Sequence, residues 1–424
     1  MRIAVIGGGI SGLTAAYILS RRHHVTLFEA NDYVGGHTHT HRIEDSDGQP
    51  LHIDSGFIVF NDRTYPNFVA LLDQLQVASQ PSEMSFSVSC QSSGLEYNGR
   101  SLDGLFLQRR NLLRPGHWRM AADIVRFYRQ GSRIASSPNG NGLPRGHHTT
   151  VGEFVRANGY SRDFVRHHLV PISAAIWSAD PGRIEDFPIK FVLRFFDNHG
   201  MLSFSNRPQW RVIKGGSYRY VEKLVAPFRE GIRLEAAVAG IRRLTDGIEV
   251  KTAGQEWERF DHVVLAVHSD QALRMLTDAD RAEREILGAI EYQANRTVLH
   301  CDDDLLPRNR RAWASWNYHL MPQRRRPVAL TYHMNRLQSL DARRQYSVTL
   351  NRCKDIDPGK VLRRMDYQHP IFTPLARQAQ KRHDEISGRR RTHFCGAYWG
   401  YGFHEDGVRS ALKVCRTFGM ELTA

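Results

Sequence analysis

The chain is poor in cysteine, poor in lysine for so basic a protein, and without any long apolar run. Its 424 residues hold five cysteines: Cys90, Cys301, Cys353, Cys395 and Cys415. They are scattered, odd in number and never spaced Cys-x-x-Cys. That argues against a disulfide framework, a zinc site or a redox dithiol, and suits a reducing compartment. No stretch of about 18 apolar residues occurs, so no transmembrane helix is expected. The first apolar run begins at Arg2, so no secretory leader is expected, and the cysteine usage makes the cytoplasm the expected compartment. Of 58 basic residues only eight are lysines, so arginine carries the formal net charge of +14. No helix-turn-helix, zinc-ligand or RNA-binding signature accompanies that charge, and nucleic acid is not expected as a partner.

What is present is concentrated at the start. Residues 1–36 read MRIAVIGGGISGLTAAYILSRRHHVTLFEANDYVGG. Arg2 to Ile6 is a short apolar run suited to a strand buried in a parallel sheet. Gly7, Gly9 and Gly12 follow at dinucleotide-binding spacing, and Ile10 to Leu19 carries apolar residues at helical spacing. A second strand, Val25 to Phe28, ends at Glu29. Gly7 permits the tight strand-to-helix turn, Gly9 lets backbone approach a pyrophosphate, and Gly12 packs helix on strand. The helix start offers free N–H groups and partial positive charge to phosphates. Glu29 is placed to accept hydrogen bonds from a ribose.

The chain length suits two domains. Strands are expected around a turn at Asp246-Gly247, and Phe260 to Val267 reads as a buried parallel strand entering a helix at Ser269. Thr392 to Gly396 reads as a last strand, followed by a glycine-aromatic loop, Ala397 to Phe403, and a helix from about His404 to Phe418. These patterns predict an α/β chain. A discontinuous Rossmann-like nucleotide domain would take residues 1–75, 205–275 and 390–424. An α+β substrate domain would take 76–204 and 276–389, with a ligand where the two meet. The stretch from Ala135 to Thr150, rich in Ser, Pro and Gly, reads as a loop.

The dinucleotide is expected to be FAD. No second GxGxxG follows a strand, as a flavin reductase using NAD(P)H would carry. A Gly35-Gly36 pair follows the acid, and a further glycine-bearing helix closes the chain. FAD is longer than NAD at its working end and needs supports far from the adenine site.

GGGISG with EAND and VGG, Val212 to Gly216, Asp261 to Val267, and Gly396 through Val408 together resemble the flavin-containing amine oxidase superfamily. That group includes monoamine oxidase, phytoene desaturase and protoporphyrinogen oxidase. HTHT, DSGFIVFNDRTYPNF, AAIWSA, RFFDNHG, ASWNYHL and AYWGYGFHEDGV further resemble a bacterial amine-oxidase-like subgroup, some of whose members are linked to modified fatty acids. The resemblance implies an FAD site built from several segments. Gly7, Gly9, Ile10, Ser11 and Gly12 would meet the pyrophosphate, and Glu29 with Ala30 the adenosine ribose. Gly35, Gly36, His37 and Thr38 would flank the pyrophosphate and ribityl chain. Ser55, Gly56 and Phe57 would lie near the isoalloxazine, Val238 at adenine, and Gly396, Gly407 and Val408 at the flavin end, where a helix start stabilises the reduced ring.

The departures from the superfamily pattern also carry information. His37 stands where many relatives have Arg, and Ala397 where many have an acid. The motif bearing a covalent flavin cysteine is absent, so non-covalent FAD is expected. The lysine that holds a water near the flavin in many amine oxidases has no counterpart, the expected strand Asn295 to His300 offering Arg296 instead.

Catalytic residues are not assigned by the sequence. Tyr398, Trp399, Tyr401 and His404 are candidates to line the flavin, Trp177 and Trp316 to line an apolar cavity, and His404 with Glu405 an acid/base pair. His37, His39 and His41 would share one face of an extended chain, but no Cys or acidic cluster accompanies them and no metal is expected. The functional expectation is an FAD-dependent oxidoreductase removing hydride from a small hydrophobic substrate, such as a modified fatty acyl chain, as a desaturase. A flavin amine oxidase releasing imine and hydrogen peroxide is the alternative, and a redox-neutral isomerase or mutase the second. The electron acceptor is left open. Residues 108–128 interleave arginines with Leu112, Leu113, Trp118, Met120, Ile124, Val125, Phe127 and Tyr128, which raises peripheral contact with an anionic membrane as an expectation. Arg324 to Arg326 and Arg389 to Arg391 read as solvated loops.

Overall fold

In the computed structural model, which describes residues 1–137, 149–203, 207–322 and 327–422, the opening segment forms where its pattern placed it. Arg2–Ile6 (β1), Ile10–Leu19 (α1) and His24–Phe28 (β2) make a βαβ unit. Ile3, Ala4, Val5 and Ile6 are buried, as a strand covered on both faces requires. Ile232–Arg233 (β3), His262–Leu265 (β4) and Thr392–Phe394 (β5) complete one five-stranded sheet, ordered β3-β2-β1-β4-β5 and parallel throughout. His404–Arg416 (α2) packs against α1. The expected long strand Phe260 to Val267 is instead two. Trp257–Phe260 pairs antiparallel with Ile248–Thr252, and β4 begins only at His262. The break falls at Asp261, whose carboxylate and N–H both bond the backbone of Arg2 and tie the bend to β1.

A second, seven-stranded mixed sheet runs in the order 361–371, 291–300, 347–350, 330–333, 316–320, 86–90, 95–98. Helices Pro115–Ala135, Val151–Ala157, Val170–Trp177 and Ile189–Asn198 share a core with it, through Phe127, Phe154, Phe191, Tyr318 and Leu330. Helices Arg281–Gly288 and Pro374–Lys381, within stretches expected for the second domain, contribute Ile286, Leu287 and Ala379 to the core beside β1 and β4.

One expectation changes here. Met120, Ile124, Phe127 and Tyr128 face inward, and their helix packs on Ile189–Asn198. The body of helix 115–135 therefore cannot lie in a bilayer, and only Leu112, Leu113 and Trp118 of that apolar set are exposed. Most of the Ala135–Thr150 loop and Arg324 to Arg326 lie outside the described residues. Among the described residues, no helix is long and apolar enough to cross a membrane.

Candidate active site

A cavity of about 730 Å³ runs from the end of the parallel sheet to the second sheet, within the range of cofactor and ligand sites. Its nucleotide end is built by the βαβ unit. Helix α1 starts at Gly9 with no side-chain cap and no acid in its first turn, so the first amides lack side-chain partners. Gly9, Ile10 and Ser11 line the cavity there. A Cβ on Gly9 would meet no protein atom within 4 Å, whereas one on Gly12 would lie 1.9 Å from the carbonyl oxygen of Gly7. Across the gap, the Gly35 N–H donates to the Gly8 carbonyl at 2.7 Å, and Gly36 comes within 3.1 Å of the Gly9 Cα when given a Cβ. An uncapped helix start facing glycine-bounded space fits a pyrophosphate.

Glu29 also lines this end. Its carboxylate accepts from the Gly8 N–H at 2.7 Å, and from the Asn31 N–H and Nδ2 at 2.9 and 2.7 Å. These bonds fix an acceptor where ribose hydroxyls would arrive. Gly7, Ala30, Gly36, His37, Gly56, Phe57, Val238 and Gly396 border the same cavity.

Other expected residues stand behind the wall. Gly12 is a packing position. Gly407 is another, since a Cβ there would lie 2.7 Å from Ile10 Cγ2, while Val408 is fully buried in the core. Ser55 Oγ bonds the Tyr367 hydroxyl at 2.7 Å and His41 Nε2 at 2.9 Å. Thr38 bonds Tyr220 and, at 2.9 Å, His404 Nε2. The first turn of α2 meets the cavity only through Phe403 and His404.

The far end is aromatic. Ile176, Trp177, Trp316, Tyr332, Phe372 and Tyr401 converge on it. Tyr401 stacks on Phe191 at 4.7 Å and Phe403 on Phe195 at 5.0 Å, so helix Ile189–Asn198 backs this wall. Tyr398 lines the cavity, but Trp399 does not, and its ring packs T-shaped on His383 at 4.5 Å. The loop holding them is tied by Asp406, which accepts from the Tyr401 and Phe403 N–H groups at 2.9 and 3.2 Å.

The titratable groups are mostly silenced by burial. His37 is driven down to about 4 and His369 to about 3, desolvation being the main cause and neighbouring imidazoles adding to it. His268 shifts the same way. His404, stacked on Phe57 at 3.4 Å, is held well below its ordinary value by burial. It is a neutral hydrogen-bonding partner of Thr38 and Tyr220 at neutral pH. Glu405 does not join it as an acid/base partner. Its carboxylate accepts from Asn67 Nδ2 at 2.5 Å and from the Phe68 N–H at 3.0 Å, at the start of helix Pro66–Gln74.

Strand Glu291–His300 presents Asn295, not Arg296, to the interior. Asn295 Nδ2 bonds His369 Nδ1 at 2.9 Å and the Ser178 carbonyl at 3.0 Å, while Arg296 is exposed. Among the described residues lining the cavity there is no lysine, and Glu29 and the exposed Asp366 are its only carboxylates.

The model of the flavin-containing amine oxidoreductases matches residues 10–299, more than half of the chain. The chain belongs to that family. A Mycobacterium tuberculosis protein named "Putative flavin-containing monoamine oxidase AofH" is 25% identical over 275 residues, covering 62% of this chain and 56% of that protein. The chain thus spans little more than half the length of the first curated relatives it matches. Cyclohexylamine oxidase from Brevibacterium oxydans superposes over 98% of both chains with a TM-score of 0.69 at 16% identity. A fatty acid isomerase from P. acnes that produces CLA does so over 98% of both chains with a TM-score of 0.67, also at 16% identity. At such identity these two likenesses establish the fold. The cofactor of the flavin-containing amine oxidoreductases is FAD, and the uncapped α1 start, the glycine-bounded gap and Glu29 fit its pyrophosphate and adenosine ribose.

Several lining residues escaped the sequence reading: His268, Gln271 and Arg274 after β4, and Tyr367, Gln368 and His369 on strand Val361–Ile371. The first group follows a strand end recognisable in the sequence, and the tendency of ligands to gather beyond the carboxyl ends of parallel strands could have found it. The second carries no local signal.

Proposed function

We propose that the protein is an FAD-dependent oxidoreductase that removes hydride from a C–H bond of a hydrophobic substrate, an acyl chain being the class favoured. The observation that carries this reading is the aromatic end of the cavity, where Ile176, Trp177, Trp316, Tyr332, Phe372 and Tyr401 converge and none carries a negative charge to pair with a cationic amine. When bound, FAD supplies the two-electron acceptor. The chain's own contribution is shape and water exclusion. Trp177, Trp316, Tyr332, Phe372 and Tyr401 would hold an apolar chain against the flavin by burial of its surface. Burial holds His37 and His369, the imidazoles on the lining, far below their ordinary values, so neither is assigned as base for the adjacent proton lost in forming a C=C bond, which is released to solvent. FAD is held without a covalent bond, by the βαβ unit, Glu29 and the Gly35-Gly36 segment.

The fold is shared with amine oxidases and with a fatty acid isomerase, so both remain outcomes of the test. Purified holoenzyme is mixed anaerobically with acyl lipids and fatty acids, then with an amine panel, while flavin absorbance is followed. Bleaching by acyl substrates with formation of an alkene supports the proposal. Bleaching by amines alone would assign amine oxidation. Turnover of an acyl substrate without net change in flavin oxidation state would assign an isomerase.

A further inference from the structure

Among the described residues, seven large apolar side chains are exposed, and four of them, Leu102, Leu112, Leu113 and Trp118, come from one 17-residue stretch. Leu113 is 87% exposed and Leu102 74%. They are gathered in space as well. The Trp118 indole N–H donates to the Leu112 carbonyl at 2.9 Å, and its ring lies 4.4 Å from Phe106, one turn beyond Leu102. These contacts join the short helices Leu102–Leu105 and Arg109–Leu113 and the first turn of helix Pro115–Ala135 into a single cap.

Four exposed arginines, Arg109, Arg110, Arg114 and Arg119, lie in the same cap. Asp103 pairs with Arg109 and with Arg311. Arg110 bonds the Gly94 carbonyl, and Arg114 and Arg119 have no carboxylate within pairing distance among the described residues. Three leucines and a tryptophan beside Arg110, Arg114 and Arg119, none of them paired with a carboxylate among the described residues, have the composition of a surface that enters the interface of an anionic bilayer. Leucine there gains from leaving water, tryptophan prefers the headgroup level, and arginine reaches phosphate.

We propose that this cap is a docking surface for an anionic lipid membrane, on which the protein rests peripherally. The surface stands apart from the cavity, and the proposal does not depend on which substrate the cavity takes. Charge complementarity favours the bilayer over a second copy of this chain, because a copy would bring like charge to like charge.

Flotation of the full-length holoenzyme with phosphatidylglycerol-containing vesicles tests this, with pure phosphatidylcholine vesicles as the comparison. The protein should float with the anionic vesicles, less so as salt rises. Leu102→Glu with Leu113→Glu should weaken binding by about tenfold or more, since each places a charge where a leucine would be buried. Arg114→Glu with Arg119→Glu should weaken it and flatten its salt dependence. Because these side chains are exposed, flavin content and melting temperature should hold in all variants, which separates lost docking from lost folding. Failure to bind anionic vesicles, or binding indifferent to the leucine pair, would overturn the proposal. So would a dimer in vesicle-free solution that the leucine pair abolishes, which would assign the cap to a second copy.

Discussion

Gly9 and Gly12 lie three residues apart in one motif, yet the absence of a side chain serves different ends at the two positions. At Gly12 a Cβ would meet the Gly7 carbonyl oxygen at 1.9 Å, so Gly12→Ala must move α1 off β1. Overpacking of that kind costs about 1–3 kcal/mol or more, and the apoprotein should melt several degrees lower. At Gly9 a Cβ meets no protein atom and the backbone is extended, φ −76° and ψ 178°, which any residue adopts. Gly9→Ala should leave apoprotein stability within about 0.5 kcal/mol while weakening FAD binding by roughly tenfold or more, because the methyl enters the space beside the helix start. Thermal melts of apoprotein and titration with FAD separate the two effects. Equal losses of stability would show that Gly9 is a packing position after all. The motif spacing already separates these roles, Gly9 for approach to a pyrophosphate and Gly12 for packing of helix on strand, and the Cβ distances add the physical reason.

At the scale of elements, short-range patterns were read well and long-range ones poorly. β1, α1 and β2 follow from apolar runs and glycine spacing within 28 residues, and they formed as read. Tyr367 and His369 reach the cavity only because strand 361–371 pairs with 291–300, His369 opposite Gln293. No local pattern announces such a pairing. Glu405 shows the same limit. Its neighbourhood suggested an acid/base role beside His404, whereas its carboxylate serves the N–H groups at the start of Pro66–Gln74, more than 300 residues away in sequence. That helix has no side-chain cap of its own. Glu405→Ala should therefore cost about 1–2 kcal/mol, as loss of a helix cap does, with the bound-flavin spectrum unchanged. A normal melting temperature combined with lost turnover would instead place Glu405 in the reaction.

At the scale of the whole molecule, the burial that quiets the histidines makes the fold acid-sensitive. His37, His168, His199, His300 and His393 are each driven down to about 4, and His369 to about 3, with burial the largest cause in every case. In the unfolded chain each would titrate near 6.5. Their folded values are depressed, so between the folded and unfolded values the unfolded chain binds more protons. Stability is therefore full above about pH 6.5 and is lost as pH falls toward 4. Each histidine contributes up to ~1.4 kcal/mol per pH unit within that window. All six act in the same direction, so a typical stability of ~5–15 kcal/mol is eroded as pH falls through that window. Circular dichroism and tryptophan fluorescence followed from pH 8 to 3 should show cooperative unfolding centred near pH 5. Saturating FAD should move the midpoint to lower pH, because it binds only the folded chain. A native spectrum persisting at pH 4 would mean that these imidazoles gain protons without leaving the fold.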